Sequence, residues 1–465
     1  MSFESFNRRA KEIGGKLSAE NEVLVVSHHD ADGITSCAVM VDLLRSIDVE
    51  TDYMCIKQLD STTISRIREY RGRPTVFCDM GSGQLPLIEE NKIPDFYVFD
   101  HHPPAFEHPN QLNPHSFGYD GGSEISGAGV AYLFAKALGR PDMAHLAVVG
   151  AVGDMQDNSG ALKSLNRMPL EDAVSAKNLL VENDIRMFGR QSRSLSQMLA
   201  YSSEPYLPML TGDQLACSQF LEGLGLPLKD DLGEYSSYVD LNRAQRRKLT
   251  SAIYMRLLDF GTPEYIIQSM IGEVYTLLCE TPKTELADSK EYATVLNACG
   301  RQQQSELGVK VCLGDRGETW DRARTLLESH RRNLREGLEY LKGNGTHSLS
   351  HIYYFDAGEV IPEAIIGVVA GMAYGARIIP PDKPVFAFAQ DQDDDSKLKV
   401  SGRANMRLIR GGVHLGEALK HVSSELEGEG GGHDIAAGAK IPRKNKTKLL
   451  EKINQKIKKQ QQTNN

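Results

Sequence analysis

At 465 residues the chain is too long for one ordinary core, which sets an expectation of two to four domains. A composition of 40% hydrophobic and 25% charged residues is that of a soluble protein, and no apolar run approaches the ~18 residues of a membrane span. The formal charge of −9 excludes a uniformly basic nucleic-acid coat but leaves room for a local basic groove.

The first residues, Met1 to Arg9, carry no apolar segment of the signal-peptide kind. Seven cysteines (Cys37, Cys55, Cys78, Cys217, Cys279, Cys299 and Cys312) show no Cys-x-x-Cys spacing. They support neither a disulfide framework nor a zinc ribbon and suit a reduced, cytoplasmic location with no membrane partner.

Val23 to Ser27 is the first strand signal, followed at once by His28-His29-Asp30-Ala31-Asp32-Gly33. Ile34, Ala38, Val41 and Leu44 then recur at helical spacing, so the acidic turn joins a strand to a helix N-terminus, where open parallel sheets place ligands. Two carboxylates as close as Asp30 and Asp32 repel, and call for a cation or a proton. Helix capping alone accounts for one Asp but not for His28 as well. Pro74 to Cys78 is another short apolar run, ending in Asp79-Met-Gly-Ser-Gly83. Taken singly, Asp79 reads as an Asx-turn. Phe96 to Phe99 reads as a buried strand that delivers Asp100-His101-His102-Pro103-Pro104. The repetition on three strands favours a shared site. Ser126-Gly-Ala-Gly129 opens an apolar helix, with Ser126 as its cap and phosphate contact as the weaker reading. The buried apolar run His145 to Gly153 delivers Asp154, the better ligand candidate, with Asp157 as a supporting or capping residue.

From about 188 to 316 the glycine–acid turns disappear and amphipathic helical spacing dominates. Asn297 and Arg301 are the few candidates there to face a ligand. Residues 317–343 read as one linker helix, with an apolar seam at Leu327, Leu334, Leu338 and Leu341 and an arginine-rich outer face. The last section, 344–465, is α/β again. Leu398 to Arg403 is a strand ending in a guanidinium, and Gly430-Gly431-Gly432-His433 reads as a tight backbone nest suited to phosphate oxygen. Lys444 to Lys459 is a basic helical tail that should end in disordered Gln/Asn-rich residues.

The expected fold is therefore α/β. A parallel-sheet domain over 1–187 is followed by a largely helical insertion over 188–316 and the linker helix over 317–343. A mixed α/β domain with a basic tail fills 344–465. Carboxylates with imidazoles suit Mn²⁺ or Mg²⁺ better than structural zinc. The number of carboxylates is enough for two ions, the usual device for in-line displacement at phosphorus. Arg403 and His433 would grip substrate phosphates.

His28-x-Asp30-x-Asp32-Gly33, Cys78-Asp79, Asp100-His101-His102 and Gly150-x-x-x-Asp154 resemble the four motifs of the DHH phosphoesterase superfamily. Ser401-Gly402-Arg403 and Gly430-Gly431-Gly432-His433 resemble its DHHA1 substrate-binding domain. The helical insertion, Asn297-Ala-Cys-Gly-Arg301 and Ile365 to Gly371 look most like archaeal RecJ-type nucleases, including the GINS-associated nuclease type. The insertion also resembles that of a eukaryotic replication relative that has lost the catalytic motifs.

The resemblance implies a single-strand-specific exonuclease, 5′→3′ on DNA and also open to RNA, that releases mononucleotides in replication or repair. It implies two Mn²⁺ ions, with Mg²⁺ as the substitute, bridged by Asp79 and completed by His28, Asp30, Asp32, His101 and Asp154. His102 would contact or protonate at the scissile phosphate, and Asp100 would orient the His pair. Arg403, Gly431, Gly432 and His433 would bind substrate. Many branches place the first histidine where this chain has Val26, so His28 and His29 both stand as candidates for that ligand. Implied partners are single-stranded DNA or RNA, GINS and the replicative helicase. The alternatives are a replisome scaffold without catalysis and a phosphodiesterase or pyrophosphatase acting on small molecules.

Overall fold

A computed structural model describes residues 2–463 except Arg71, Pro94, Ser203, Asp231 and Asp393. The chain divides into two compact units. One runs up to Tyr201 and resumes over Pro208–Leu327; the other holds Ser202–Leu207 and the chain from Glu328 onward.

The first unit is built on five parallel strands, β1 (Glu22–His28), β2 (Glu50–Ile56), β3 (Thr75–Cys78), β4 (Phe96–Phe99) and β5 (Gln111–Leu112), in the order β2-β1-β3-β4-β5. The central strands are buried on both faces, as expected of continuous apolar runs in a parallel sheet. Alternation divides their side chains between two layers. Val23, Val25, Val76, Tyr97 and Phe99 join one core, while Leu24, Val26, Phe77 and Val98 join another with Ile64, Leu85 and Ile88. Ser27 pairs with Cys78 and Cys78 with Phe99, so His28, Asp79 and Asp100 leave the sheet side by side on one rim.

Helices α1 (Ala31–Ser46), α2 (Gly127–Ala137) and α3 (Ala144–Gly153) pack together in the larger core. The apolar run before Asp154 is thus helix α3, and Asp154 is its C-cap rather than the end of a strand. The antiparallel pair β6 (Leu179–Ile185) and β7 (Ile271–Leu277) brackets the mostly helical segment that contains α4 (Arg243–Asp259). Beyond β7 the chain returns to the first core: Tyr292, Val295, Leu296 and Cys299 of α5 (Ser289–Arg301) are buried in it. Helix α6 (Glu318–Asn344) follows, with Ala323 and Leu327 in the first core and Leu334, Leu338 and Leu341 against the second.

The second unit carries a mixed six-stranded sheet ordered β12-β13-β11-β10-β9-β8. Its strands are β8 (His347–Ser348), β9 (Tyr353–Asp356), β10 (Val385–Gln390), β11 (Lys397–Arg403), β12 (Glu429–Gly432) and β13 (Ala436–Pro442). Helices α7 (Glu363–Gly375), α8 (Leu415–Ser424) and α9 (Lys446–Thr463) complete it.

Two expectations are corrected here. The glycine run is not a nest but the edge strand β12, paired with β13 from Glu429↔Lys440 to Gly432↔Ala437. Its glycines admit α8 at close range: a Cβ on Gly430 would come 2.6 Å from Ser423 Oγ, and one on Gly416 would come 2.1 Å from the Gly432 carbonyl oxygen. The tail is helical through its glutamines. Gln460 exchanges two hydrogen bonds with the His414 backbone, and Gln461 reaches His351 Nδ1 at 3.2 Å. The last two asparagines of the tail lie outside the described residues.

Candidate metal centre

Each rim residue is delivered by a local constraint. Asp30 caps α1, its Oδ1 accepting the Gly33 N–H at 3.0 Å. Asp32, in the first turn of α1, accepts the Gly127 and Ala128 N–H groups at 2.6 and 2.9 Å. The N-terminus of α2 therefore holds this carboxylate where a phosphate contact was the weaker reading. Asp79 turns out of β3 with φ +56°. The glycines opposite make room, since a Cβ on Gly127 would come 2.6 Å from Asp79 Oδ1 and one on Gly150 2.5 Å from Asp32 Oδ1.

The side chains meet around Asp79, which is almost wholly buried. Its Oδ1 lies 3.2 Å from His101 Nε2 and its Oδ2 3.6 Å from His28 Nδ1. On the His28 side, Nδ1 is 3.1 Å from Asp30 Oδ2. On the other side, Asp32 Oδ2 is 3.8 Å from His101 Nε2, and Asp154 Oδ2 is 3.9 Å from His101 Nδ1. Among the described residues, the groups able to hold a cation are His28/Asp30/Asp79, Asp32/His101/Asp154 and Asp79/Asp100/His101/His102. His29 belongs to none of them. Its Nδ1 is buried without a hydrogen bond, and burial followed by the neighbouring His28 pulls its pKa down to about 4.

The electrostatics of this cluster fit divalent ions. Burial and then the Asp79 charge push Asp32 well above the usual carboxylate range; burial, with Asp79 adding to it, also raises Asp154. Burial alone would lower the pKa values of His28 and His101. Asp30 and Asp79 outweigh it at His28, as Asp79, Asp32 and Asp154 do at His101, and both rise well above the ordinary value. Asp79 Oδ1 is buried without a hydrogen bond, a vacant acceptor in a site whose carboxylates repel. The donors are carboxylate oxygens and imidazole nitrogens, so Mn²⁺ or Mg²⁺ suits them.

Orientation comes from neighbours that sequence patterning does not reveal. The Gly121 carbonyl lies 2.7 Å from His101 Nδ1, which assigns a proton to Nδ1 and leaves Nε2 as the nitrogen that faces Asp79. Gln156 Nε2 bonds both Asp154 Oδ2 (2.8 Å) and the Gly121 carbonyl (2.9 Å), coupling two ligand candidates. Asp157 turns away and pairs with buried Arg186. Asn297 contacts protein rather than open space, its Oδ1 accepting the Ala31 N–H at 3.1 Å. Asp100 is buried and takes the Ser82 N–H at 2.9 Å and His102 Nδ1 at 2.8 Å. Burial would raise its pKa, but the His102 hydrogen bond and charge, the nearby His101 and the Ser82 N–H together outweigh this and hold it at about 2. His102 is left half exposed, with its Nδ1 fixed by Asp100.

In the second unit, Arg403 ends β11 beside α7, where a Cβ on Gly367 would come 2.4 Å from its Nη2. Gly431 and Gly432 lie in the edge strand β12, and His433 is exposed just beyond it.

Three family models match in the order in which these features occur. The DHH family N-terminal domain covers residues 22–151, the DHH-CID domain 187–271 and the DHHA1 domain 358–459. The chain thus carries DHH, DHH-CID and DHHA1 domains, in that order. All four DHH motifs lie in or just beyond the first matched segment, and the DHH-CID match begins just after β6 and ends at the first residue of β7.

Among relatives, the chain is 29% identical to an uncharacterized protein of Methanocaldococcus jannaschii, over 93% of this chain and 92% of that one. It is 26% identical to the single-stranded-DNA-specific exonuclease RecJ of Bacillus subtilis, over 31% of this chain and 20% of that one. Among solved structures, CDC45 from Entamoeba histolytica has the same fold, with a TM-score of 0.67 at 13% identity, covering 97% of this chain and 99% of that one. RecJ from Thermus thermophilus in complex with Mn²⁺ gives a TM-score of 0.58 at 18% identity, covering 98% of this chain and 55% of that one.

Proposed function

We propose that this DHH protein is a two-metal phosphodiesterase that trims single-stranded nucleic acid from one end and releases mononucleotides. The observation that carries the reading is Asp79, whose two buried oxygens face His101 on one side and His28 on the other. Asp79, His28 and Asp30 would hold one divalent ion, and Asp79, Asp32, His101 and Asp154 the other. When bound, such a pair supplies an acidified water and positive charge opposite a scissile phosphate. The chain's own residues do the rest. Asp100 fixes the His102 ring through Nδ1, which leaves Nε2 to donate a proton to the leaving oxygen. Gly121 and Gln156 keep His101 and Asp154 aligned.

Arg403, Gly431, Gly432 and His433 are proposed to bind substrate phosphates. DNA with 5′→3′ polarity is the preferred substrate, and RNA a second one. The test is digestion of end-labelled single-stranded DNA and RNA with Mn²⁺, wild type beside Asp79→Ala. Mononucleotide release by wild type alone supports the reading; equal release by the variant refutes it. Selective turnover of a dinucleotide or of pyrophosphate would replace it with a small-molecule phosphodiesterase or pyrophosphatase.

A second reading is a replisome scaffold that engages GINS and the replicative helicase, and the likeness to CDC45 along nearly its whole length favours it. Co-purification of such partners with no metal-dependent hydrolysis would decide for the scaffold.

A further inference from the structure

Helix α5 is remote in sequence from the DHH motifs, yet its C-terminal half lies directly behind the first of them. Asn297 Oδ1 accepts the Ala31 N–H at 3.1 Å across 266 positions of sequence. Ala31 opens α1, and its N–H is one of the four donors that a helix N-terminus leaves without an internal partner. The cap residue Asp30 spends its side chain on Gly33 instead. Three residues along α5, Gly300 is pressed against the His29 carbonyl so closely that a Cβ there would stand 1.7 Å from the oxygen. Ser305 Oγ lies 3.4 Å from the same oxygen.

The other end of α5 is anchored as well. Asp288 caps it through the Lys290 and Glu291 N–H groups, and the buried Glu291 carboxylate accepts the Gln191 N–H at 2.9 Å and the Ser192 N–H at 3.3 Å. Asn is a poor helix former in mid-helix, so local propensity does not explain residue 297. Backbone 29–31 is thereby held from behind at both of its ends, and beside it His28, Asp30 and Asp32 gather around Asp79 and His101.

We infer that Asn297 is a positioning residue for the metal centre. By fixing the Ala31 N–H, its side-chain oxygen sets the direction in which the first-motif carboxylates project. The inference rests on the two-metal reading proposed above. Hydrogen-bonded groups behind metal ligands characteristically alter affinity ten- to a hundredfold when removed.

The test compares Asn297→Leu, similar in shape but without an acceptor, with Asn297→Asp, which keeps an oxygen in the same place. Mn²⁺ affinity is measured by calorimetry, with Tm in EDTA recorded beside it. Asn297→Leu should weaken Mn²⁺ binding by about tenfold or more at nearly unchanged Tm, and Asn297→Asp should stay within about threefold of wild type. Gly300→Ala, which must displace the His29 carbonyl, should weaken binding in the same way. Should Asn297→Leu fail to fold, Asn297→Ala is read in its place. Wild-type affinity in the acceptor-free variant, or equal losses in Asn297→Leu and Asn297→Asp, would overturn the inference while leaving the two-metal reading intact. A wild-type protein that binds no Mn²⁺ would overturn both.

Discussion

Replacing Asp79 by Asn keeps the shape of the side chain and removes the charge that both halves of the proposed centre share. Without metal, two effects oppose each other. The variant loses the attraction of His28 and His101, at 3.6 and 3.2 Å, and relieves the repulsion felt by Asp32 and Asp154. At an effective dielectric of about 20, each such charge pair near 4 Å is worth about 4 kcal/mol, so gains and losses of similar size leave a small net change. The EDTA-treated variant should therefore unfold within about 1 kcal/mol of wild type, the residue of that near-cancellation. Mn²⁺ separates the two proteins. At a hundred times its Kd, the ion stabilises wild type by about 2.7 kcal/mol. For a unit that runs to Tyr201 and resumes over Pro208–Leu327, at about 2.1 cal/mol/K per residue, that is a rise in Tm of about 4 °C. Asp79→Asn should show almost none of that rise at the same concentration, and scanning calorimetry with EDTA or Mn²⁺ reads the difference. An equal Mn²⁺ shift in the variant would refute the bridging role. A large collapse in EDTA would instead show that Asp79 holds the fold.

Asp157→Asn strips the partner from buried Arg186; it should lower Tm yet keep the full Mn²⁺ shift, because Asp157 stands apart from the cluster. His102→Ala should reduce hydrolysis by about 10²–10⁴-fold while Mn²⁺ affinity changes little, as single-turnover rates beside calorimetry would show. The carboxylates around His28 and His101 raise both pKa values well above the ordinary value, so without metal these rings hold a proton more tightly than a free imidazole does. Mn²⁺ binding should release protons and weaken as pH falls, which calorimetry in buffers of different ionisation enthalpy would detect. Burial, with Arg316 adding to it, depresses His145 from 6.5 to about 4. The unfolded chain then takes up a proton that the folded chain refuses, so this group's contribution is full above pH 6.5 and is lost towards pH 4. At about 1.4 kcal/mol per unit, His145→Leu should gain about 3 kcal/mol relative to wild type across that window in urea titrations.

The rim of the sheet was legible because its logic is local. Apolar β-branched or aromatic residues end at an acid on β1, β3 and β4, and parallel pairing puts those ends in one row. Asp154 was legible as a candidate but not in its setting. An apolar run of alanine, valine and glycine reads as buried without declaring itself a helix, and the structure makes it one. The glycines at 430–432 misled for a related reason. Three in a row suggest a loop, whereas here they thin an edge strand so that α8 can approach it. Sequence could not choose between His28 and His29. The structure turns His28 to Asp79 and leaves His29 outside the cluster, its carbonyl against Gly300. The supports from Gly121, Gln156 and Asn297 join segments far apart in the chain, and no periodicity encodes such pairings. Nor did composition mark where the insertion ends, since α5 has the amphipathic pattern of its neighbours but is buried in the first core.

Crystals soaked in Mn²⁺ and measured at the manganese absorption edge offer the most direct reading of this centre. Two anomalous peaks about 4 Å apart are predicted, one on each side of the Asp79 carboxylate, with His28 at one and His101 at the other. A single peak away from Asp79, or none at saturating Mn²⁺, would contradict the two-ion account.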